Sequence, residues 1–247
     1  MASEFARMRF PNESQAYRAA RNGLLDAEIA LRRQVEAVAE MRRALPRGGE
    51  VPENYAFERI GRHARPETVR LSQLFGEHST LLIYSYMFGP DRDVPCPGCT
   101  HLLDGLDGAA RHAPRRAALY VAAASPIARL AAWAHQRGWN HLQMISTAGN
   151  HYSAHYYGNT ASLTPEMRQE RGYEEAKNWD EPMLNVFRKE GDTISHFWGS
   201  ELVFAPEDPG QNHRGLDLID PLWALLDTTP EGRGDFFPSV SYPSSSE

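Results

Sequence analysis

The chain has 247 residues, long for one average domain but within reach of a single decorated α/β domain. Hydrophobic residues make up 41% and charged residues 23%, which excludes global disorder and fibrous repeats. A formal charge of −6 without a long basic block argues against a nucleic-acid binder, and no apolar run approaches the roughly 18 residues of a membrane span.

The opening segment, Met1 to Arg7, has no apolar stretch behind its charge, so no secretory signal is expected and the chain reads as a soluble, cytoplasmic protein. Residues from about Asn12 to Leu45 then read as one long helix. Leu24, Leu31, Val38 and Leu45 recur every seven positions, Ala27, Val35 and Met41 fill the same side, and Arg32, Arg33, Arg42 and Arg43 fall largely outside it. Such a stripe packs on its own domain or on a partner subunit, as a homodimer contact. Pro46-Arg47-Gly48-Gly49 ends the helix.

Val51 to Phe75 looks irregular, with a short strand around Tyr55-Ala56-Phe57. Ser79 to Met87 is an apolar, aromatic run of strand length, and Phe88 to Pro95 is loop. Cys96-Pro97-Gly98-Cys99 follows, with Leu102, Leu103, Leu106 and Ala110 at helical spacing behind it. Proline suits a first helical position, because the amide it lacks would be unpaired there anyway. Ala117 to Ala122 is a second buried strand, Ser125-Pro126 opens a helix through about Gln136, and His141 to Ser146 offers a third strand. Strand, helix, strand, helix, strand implies a parallel sheet with right-handed crossovers. Residues 147 to 180 read as an insertion or lid with weak helix near Pro165 to Lys177. Pro182 to Trp198 reads as a β-hairpin about Glu190-Gly191-Asp192, and a last helix falls between His213 and Leu226, interrupted or restarted at Pro221.

Only two cysteines are present, so no disulfide framework holds the fold, and two random cysteines would stand three apart in about 0.8% of placements. Cys96 is expected at or beside the N-cap of a helix, where unpaired amides and the helix dipole favour a thiolate. Cys99, one turn deeper, is placed to attack a mixed disulfide on Cys96. The competing readings are half of a zinc site, completed by histidines such as His101, and inert thiols. Thr100 stands where haem attachment needs a histidine.

The order of elements resembles the thioredoxin fold, an α/β architecture with a central sheet and flanking helices. More specifically, the chain resembles the bacterial family called domain of unknown function 899. The resemblance rests on Arg42-Arg43-Ala44-Leu45-Pro46, Met87-Phe88-Gly89-Pro90, Cys96-Pro97-Gly98-Cys99-Thr100, Gly138-Trp139, Val186-Phe187 with Gly191-Asp192-Thr193, Arg214-Gly215-Leu216-Asp217 and Asp227-Thr228-Thr229-Pro230-Glu231-Gly232-Arg233.

That resemblance implies a dithiol-disulfide oxidoreductase, with Cys96 attacking, Cys99 resolving, and Pro97 and Pro182 shaping a substrate groove. Pro182 would be the superfamily's cis proline facing the dithiol. The organisation expected is a helical extension (1–50), a thioredoxin-like domain (51–236) with its insertion, and a flexible tail (237–247). Electrons reside in the two sulfurs, so no organic cofactor or metal is expected, and the partner is a protein or low-molecular-weight disulfide. The alternatives are a thiol peroxidase, against which Asp93 counts where threonine is usual, and a non-catalytic interaction module.

Four departures from the thioredoxin pattern stand out: a long loop before Cys96, Pro-Gly between the cysteines where thioredoxin has Gly-Pro, Glu181 before the candidate proline, and Ser85 where a buried acid is expected. The last leaves the proton acceptor for Cys99 unassigned. His151 and His155 have metal-ligand spacing but read as a polar surface pair, Arg92 as an exposed loop charge, and Arg214 and Asp217 as a pair within a helix turn or along the groove.

Overall fold

A computed structural model describes residues 8–61, 63–174 and 177–243. The chain divides into two compact units, Met1–Pro46 and Arg47–Glu247.

The first unit is one helix, α1 (Gln15–Arg43). Ser14 caps it by accepting the Tyr17 amide at 3.1 Å, satisfying one of the donors a helix start leaves orphaned. Arg42 and Arg43 sit in the last turn, where cations complement the dipole. Arg18 is folded back on the preceding residues, 3.1 Å from Glu13 and donating to the Met8 carbonyl at 2.8 Å. Much of the apolar stripe lies open: Leu24 is 52% exposed, Leu31 63% and Met41 69%.

The second unit is built on one seven-stranded sheet, comprising β1 (Ala56–Ile60), β2 (Pro66–Arg70), β3 (Thr80–Ser85), β4 (Ala118–Ala123), β5 (Met144–Ser146), β6 (Met183–Glu190) and β7 (Thr193–Gly199). Their order is β2-β1-β5-β4-β3-β6-β7. β3, β4 and β5 are parallel, as the alternation of strand and helix implies, while β6 pairs antiparallel with β3 and β7 with β6. This is an α/β fold in which the strand before the dithiol lies between a parallel neighbour and an antiparallel hairpin. Gly191, at φ +61°, opens the two-residue turn of that hairpin, a conformation that suits glycine.

Strand alternation sends side chains to two cores. Leu81 and Ile83 of β3 face one core with Phe57, Phe75, Tyr152 and Phe187. Tyr84 and Val121 face the other, which is covered by α3 (Pro97–Ala110) and α4 (Ile127–Arg137) through Leu102, Leu103, Ile127 and Leu130. α4 starts one residue later than its sequence suggests, with Pro126 as the cap rather than the first helical residue.

Two stretches are more ordered than their composition implies. Residues 51–75 hold the β1–β2 hairpin and a single helical turn, α2 (Leu71–Leu74). Residues 147–174 contain α5 (Tyr152–His155) and α6 (Pro165–Glu170), and Arg168 of α6 is buried. That guanidinium donates to the Lys177 carbonyl at 3.1 Å and to Asn178 Oδ1 at 2.8 Å, and it also reaches the Thr160 carbonyl. The last helix, α7 (Pro221–Leu226), begins at Pro221, while residues 215–219 form a turn before it. No helix among the described residues is long and apolar enough to cross a membrane.

Candidate dithiol site

β3 ends at Ser85, and the chain runs through a loop from Tyr86 to Pro95 before α3 begins. That loop is held from α4. Arg129 lies 4.1 Å over the Phe88 ring and donates to the carbonyls of Gly89 (3.3 Å), Asp93 (3.1 Å) and Arg92. At the end of the loop the Cys96 amide donates to the Met87 carbonyl at 3.1 Å, which brings the cysteine back beside the strand end.

Cys96 is the N-cap of α3 and Pro97 its first residue, as the sequence suggests. The Cys96 carbonyl accepts from the Thr100 amide at 2.9 Å and the Thr100 hydroxyl at 2.8 Å, and buried Tyr86 donates in turn to Thr100 Oγ1 at 2.8 Å. The first turn is thereby fixed from inside. Cys96 is half-buried and Cys99 buried, both as free thiols.

Their environments push the two sulfurs apart. The Cys99 thiol donates toward Cys96, and this is the main reason the Cys96 thiol is lowered to about 6; burial opposes it, and the Cys99 and Gly98 amides and the Arg92 guanidinium assist. Cys99 is pushed well up, first because its proton serves Cys96 and then by burial. The pair titrates as one coupled unit, with its first thiolate centred on Cys96.

Tyr84, His101, Asp220 and Trp223, to which the sequence gives no part in a dithiol site, line the same cavity as the pair. Tyr84 is fully buried in the same core as Cys99, and burial followed by the Cys99 charge raises its hydroxyl well above an ordinary phenol. Ser85, the next residue, faces the opposite side of the sheet, where a side chain added to Gly158 would meet its Oγ at 2.8 Å. The neighbouring strand position, Tyr84, faces the core that holds Cys99 instead. His101 Nε2 lies 3.1 Å from Asp220 Oδ2, and burial lowers the histidine and raises the carboxyl. Asp220 also caps α7 by accepting the Leu222 amide at 3.1 Å, and Trp223 of that helix stands edge-on to His101 with ring centres 5.5 Å apart.

Cys96, Cys99, Tyr84, His101, Asp220 and Trp223 all line one cavity of about 350 Å³. Pro182 lines it too, whereas Pro97 does not. No described peptide bond is cis, so Pro182 follows a trans bond, contrary to the superfamily expectation. Glu181 before it is buried and accepts from the Tyr173 hydroxyl; burial raises its carboxyl toward the neutral form, which weakens its expected opposition to a thiolate. Phe237 also forms part of the wall, 3.3 Å from where a Gly98 side chain would begin, and Arg137 binds the Val240 carbonyl at 2.7 Å. Residues 237–243 thus carry specific contacts.

The polar rim is an arginine–aspartate lattice. Arg233, nearly buried, bridges Asp227 (2.7 Å) and Asp217, while Arg214 reaches Asp227 at 2.8 Å and Asp217 at 3.3 Å. The Arg214–Asp217 pair therefore both spans a turn and lines the groove. Arg92 is a partner of Asp180, 3.4 Å away, rather than a free loop charge. His151 and His155 do not converge on a metal: His155 Nδ1 lies 2.7 Å from the Tyr55 hydroxyl and His151 lies 3.3 Å from Glu53. No cluster of three potential metal ligands occurs among the described residues.

Comparison with solved structures finds loose likenesses. The peroxidoxin BcpB of Mycobacterium tuberculosis is 16% identical, over 62% of this chain and 86% of that one, with a TM-score of 0.41. The mitochondrial 2-Cys peroxiredoxin of Plasmodium falciparum is 11% identical, over 73% and 94%, with a TM-score of 0.42. The exposed lipoprotein thioredoxin Etrx1 of Streptococcus pneumoniae is 14% identical, over 66% and 96%, at 0.37. No curated protein matches the chain. The family model described as "Bacterial protein of unknown function (DUF899)" matches residues 8–245, and the chain belongs to that family.

Proposed function

We propose that the protein is a thiol-disulfide oxidoreductase working through Cys96 and Cys99. The supporting observation is the asymmetry of the pair: a half-buried N-cap thiol lowered to about 6, fed by the proton of a buried partner one turn behind it. The Cys96 thiolate attacks a disulfide R–S–S–R′, forming Cys96–S–S–R and releasing R′S⁻. Cys99 then gives up its proton and attacks the Cys96 sulfur, closing the Cys96–Cys99 disulfide and releasing RS⁻; an external dithiol restores the reduced pair. Electrons pass only between sulfurs, so the reaction needs no organic cofactor. Pro182 and the aromatic wall of Trp223 and Phe237 would form the groove for a protein or small disulfide.

Insulin reduction by dithiothreitol tests this reading. Wild type accelerates it, Cys96→Ser does not, and Cys99→Ser stalls as a mixed disulfide on Cys96. No acceleration by wild type, together with rapid consumption of hydrogen peroxide, would replace the reading with a thiol peroxidase. Inertness in both assays would leave a binding module.

A further inference from the structure

The long N-terminal helix carries a stricter pattern than an apolar stripe. Ala16-Tyr17, Gly23-Leu24, Ala30-Leu31, Ala37-Val38 and Ala44-Leu45 repeat a small–large pair every seven residues, through all of α1 and into its cap. Seven-residue spacing keeps a seam facing one partner helix along its whole length, and a column of small residues beside that seam lets two backbones approach closely. The small column is exposed, as are Leu24, Leu31 and Met41.

We infer that α1 pairs with α1 of a second copy of this chain, antiparallel, about a two-fold axis beside Ile29 and Ala30. Ile29 is the middle of the 29 residues of α1, so this register overlaps the two helices along their full length. It also sets the small column against itself: Ala30 on Ala30, Gly23 on Ala37, and Ala16 on Ala44 of the other copy. Charge agrees with it. Asp26 and Arg33 are exposed, form no ion pair among the described residues, and flank the small column. In the antiparallel register, where a flanking column meets itself across the seam, Asp26 faces Arg33 of the other copy, twice by symmetry.

Sedimentation equilibrium on the full chain, with circular dichroism to verify folding, tests the pairing independently of any thiol activity. A dimer is expected. Leu31→Glu and Ala30→Trp should each weaken it at least about a hundredfold, by burying a charge and by wedging the backbones apart. Asp26→Arg should weaken it about fivefold, and Asp26→Arg/Arg33→Asp should restore it. A monomer at about 100 μM would overturn the proposal. A dimer indifferent to Leu31→Glu and Ala30→Trp would overturn it as well, since the contact would then lie elsewhere. Failure of the double reversal to restore affinity would overturn the antiparallel register.

Discussion

The Arg92 guanidinium lies 3.4 Å from the Asp180 carboxylate, joining the loop before the dithiol to the segment before β6. Asp180 also accepts the Gly89 amide at 2.7 Å, so one carboxylate holds both ends of the turn that aims Arg92 toward Cys96. Arg92 in turn lowers the Cys96 thiol.

Alkylation of Cys96 by iodoacetamide should therefore rise through a midpoint near pH 6 and plateau above it. Arg92→Ala should move that midpoint up by less than about one unit, because its charge is the smallest of the named influences. The variant reacts more slowly at pH 6 and like wild type at pH 9.

Cys99 contributes more than Arg92. Cys99→Ala removes the donor that dominates the lowering, and the Cys96 midpoint should climb from about 6 toward the ordinary thiol value of about 8.5. Thiolate absorbance near 240 nm checks this. An unchanged midpoint would assign the lowering to the helix start alone.

Arg129 supports the loop through three carbonyls and the Phe88 ring. Arg129→Met keeps much of the hydrophobic stem and loses the donors, at a cost of about 1–3 kcal/mol in urea unfolding. Faster hydrogen exchange should be confined to amides from Tyr86 to Cys96, with the sheet unaffected.

The rim lattice gives a pH signature. Arg233 and Arg214 hold the Asp227 carboxyl well below the usual carboxylate range. A carboxyl depressed in the folded state stabilises it fully above the unfolded value of about 4, and that contribution is lost as pH falls toward the folded value. Arg233→Met should therefore lower Tm at pH 7, and the gap from wild type should narrow as pH drops from about 4 to 2. A constant gap across that range would mean that Arg233 acts by packing alone.

Local signals were legible in the sequence, whereas signals between distant segments were not. Pro97 and the spacing of Leu102, Leu103 and Leu106 place α3 and its cysteine cap unaided, and the strands β3, β4 and β6 show as apolar runs. β2 escapes because only Val69 of its five residues is buried, leaving no alternation to read. The core neighbour of Cys99 escapes through parity: Ser85 and Tyr84 are adjacent, but a strand sends them to opposite faces, so a one-position error exchanges a hydroxyl on the far face for the phenol in the core of Cys99. Arg92 with Asp180 and His101 with Asp220 join residues far apart in the chain, and no spacing rule announces such pairs.

Trp223 gives the molecule an intrinsic optical gauge. It is the indole on the cavity that both sulfurs share, it packs against His101, and it lies under the Arg233 guanidinium. Disulfides quench nearby excited indoles more strongly than thiols do, so the emission of this ring would report sulfur oxidation in real time without an added dye. A Trp223→Phe protein would supply the silent control.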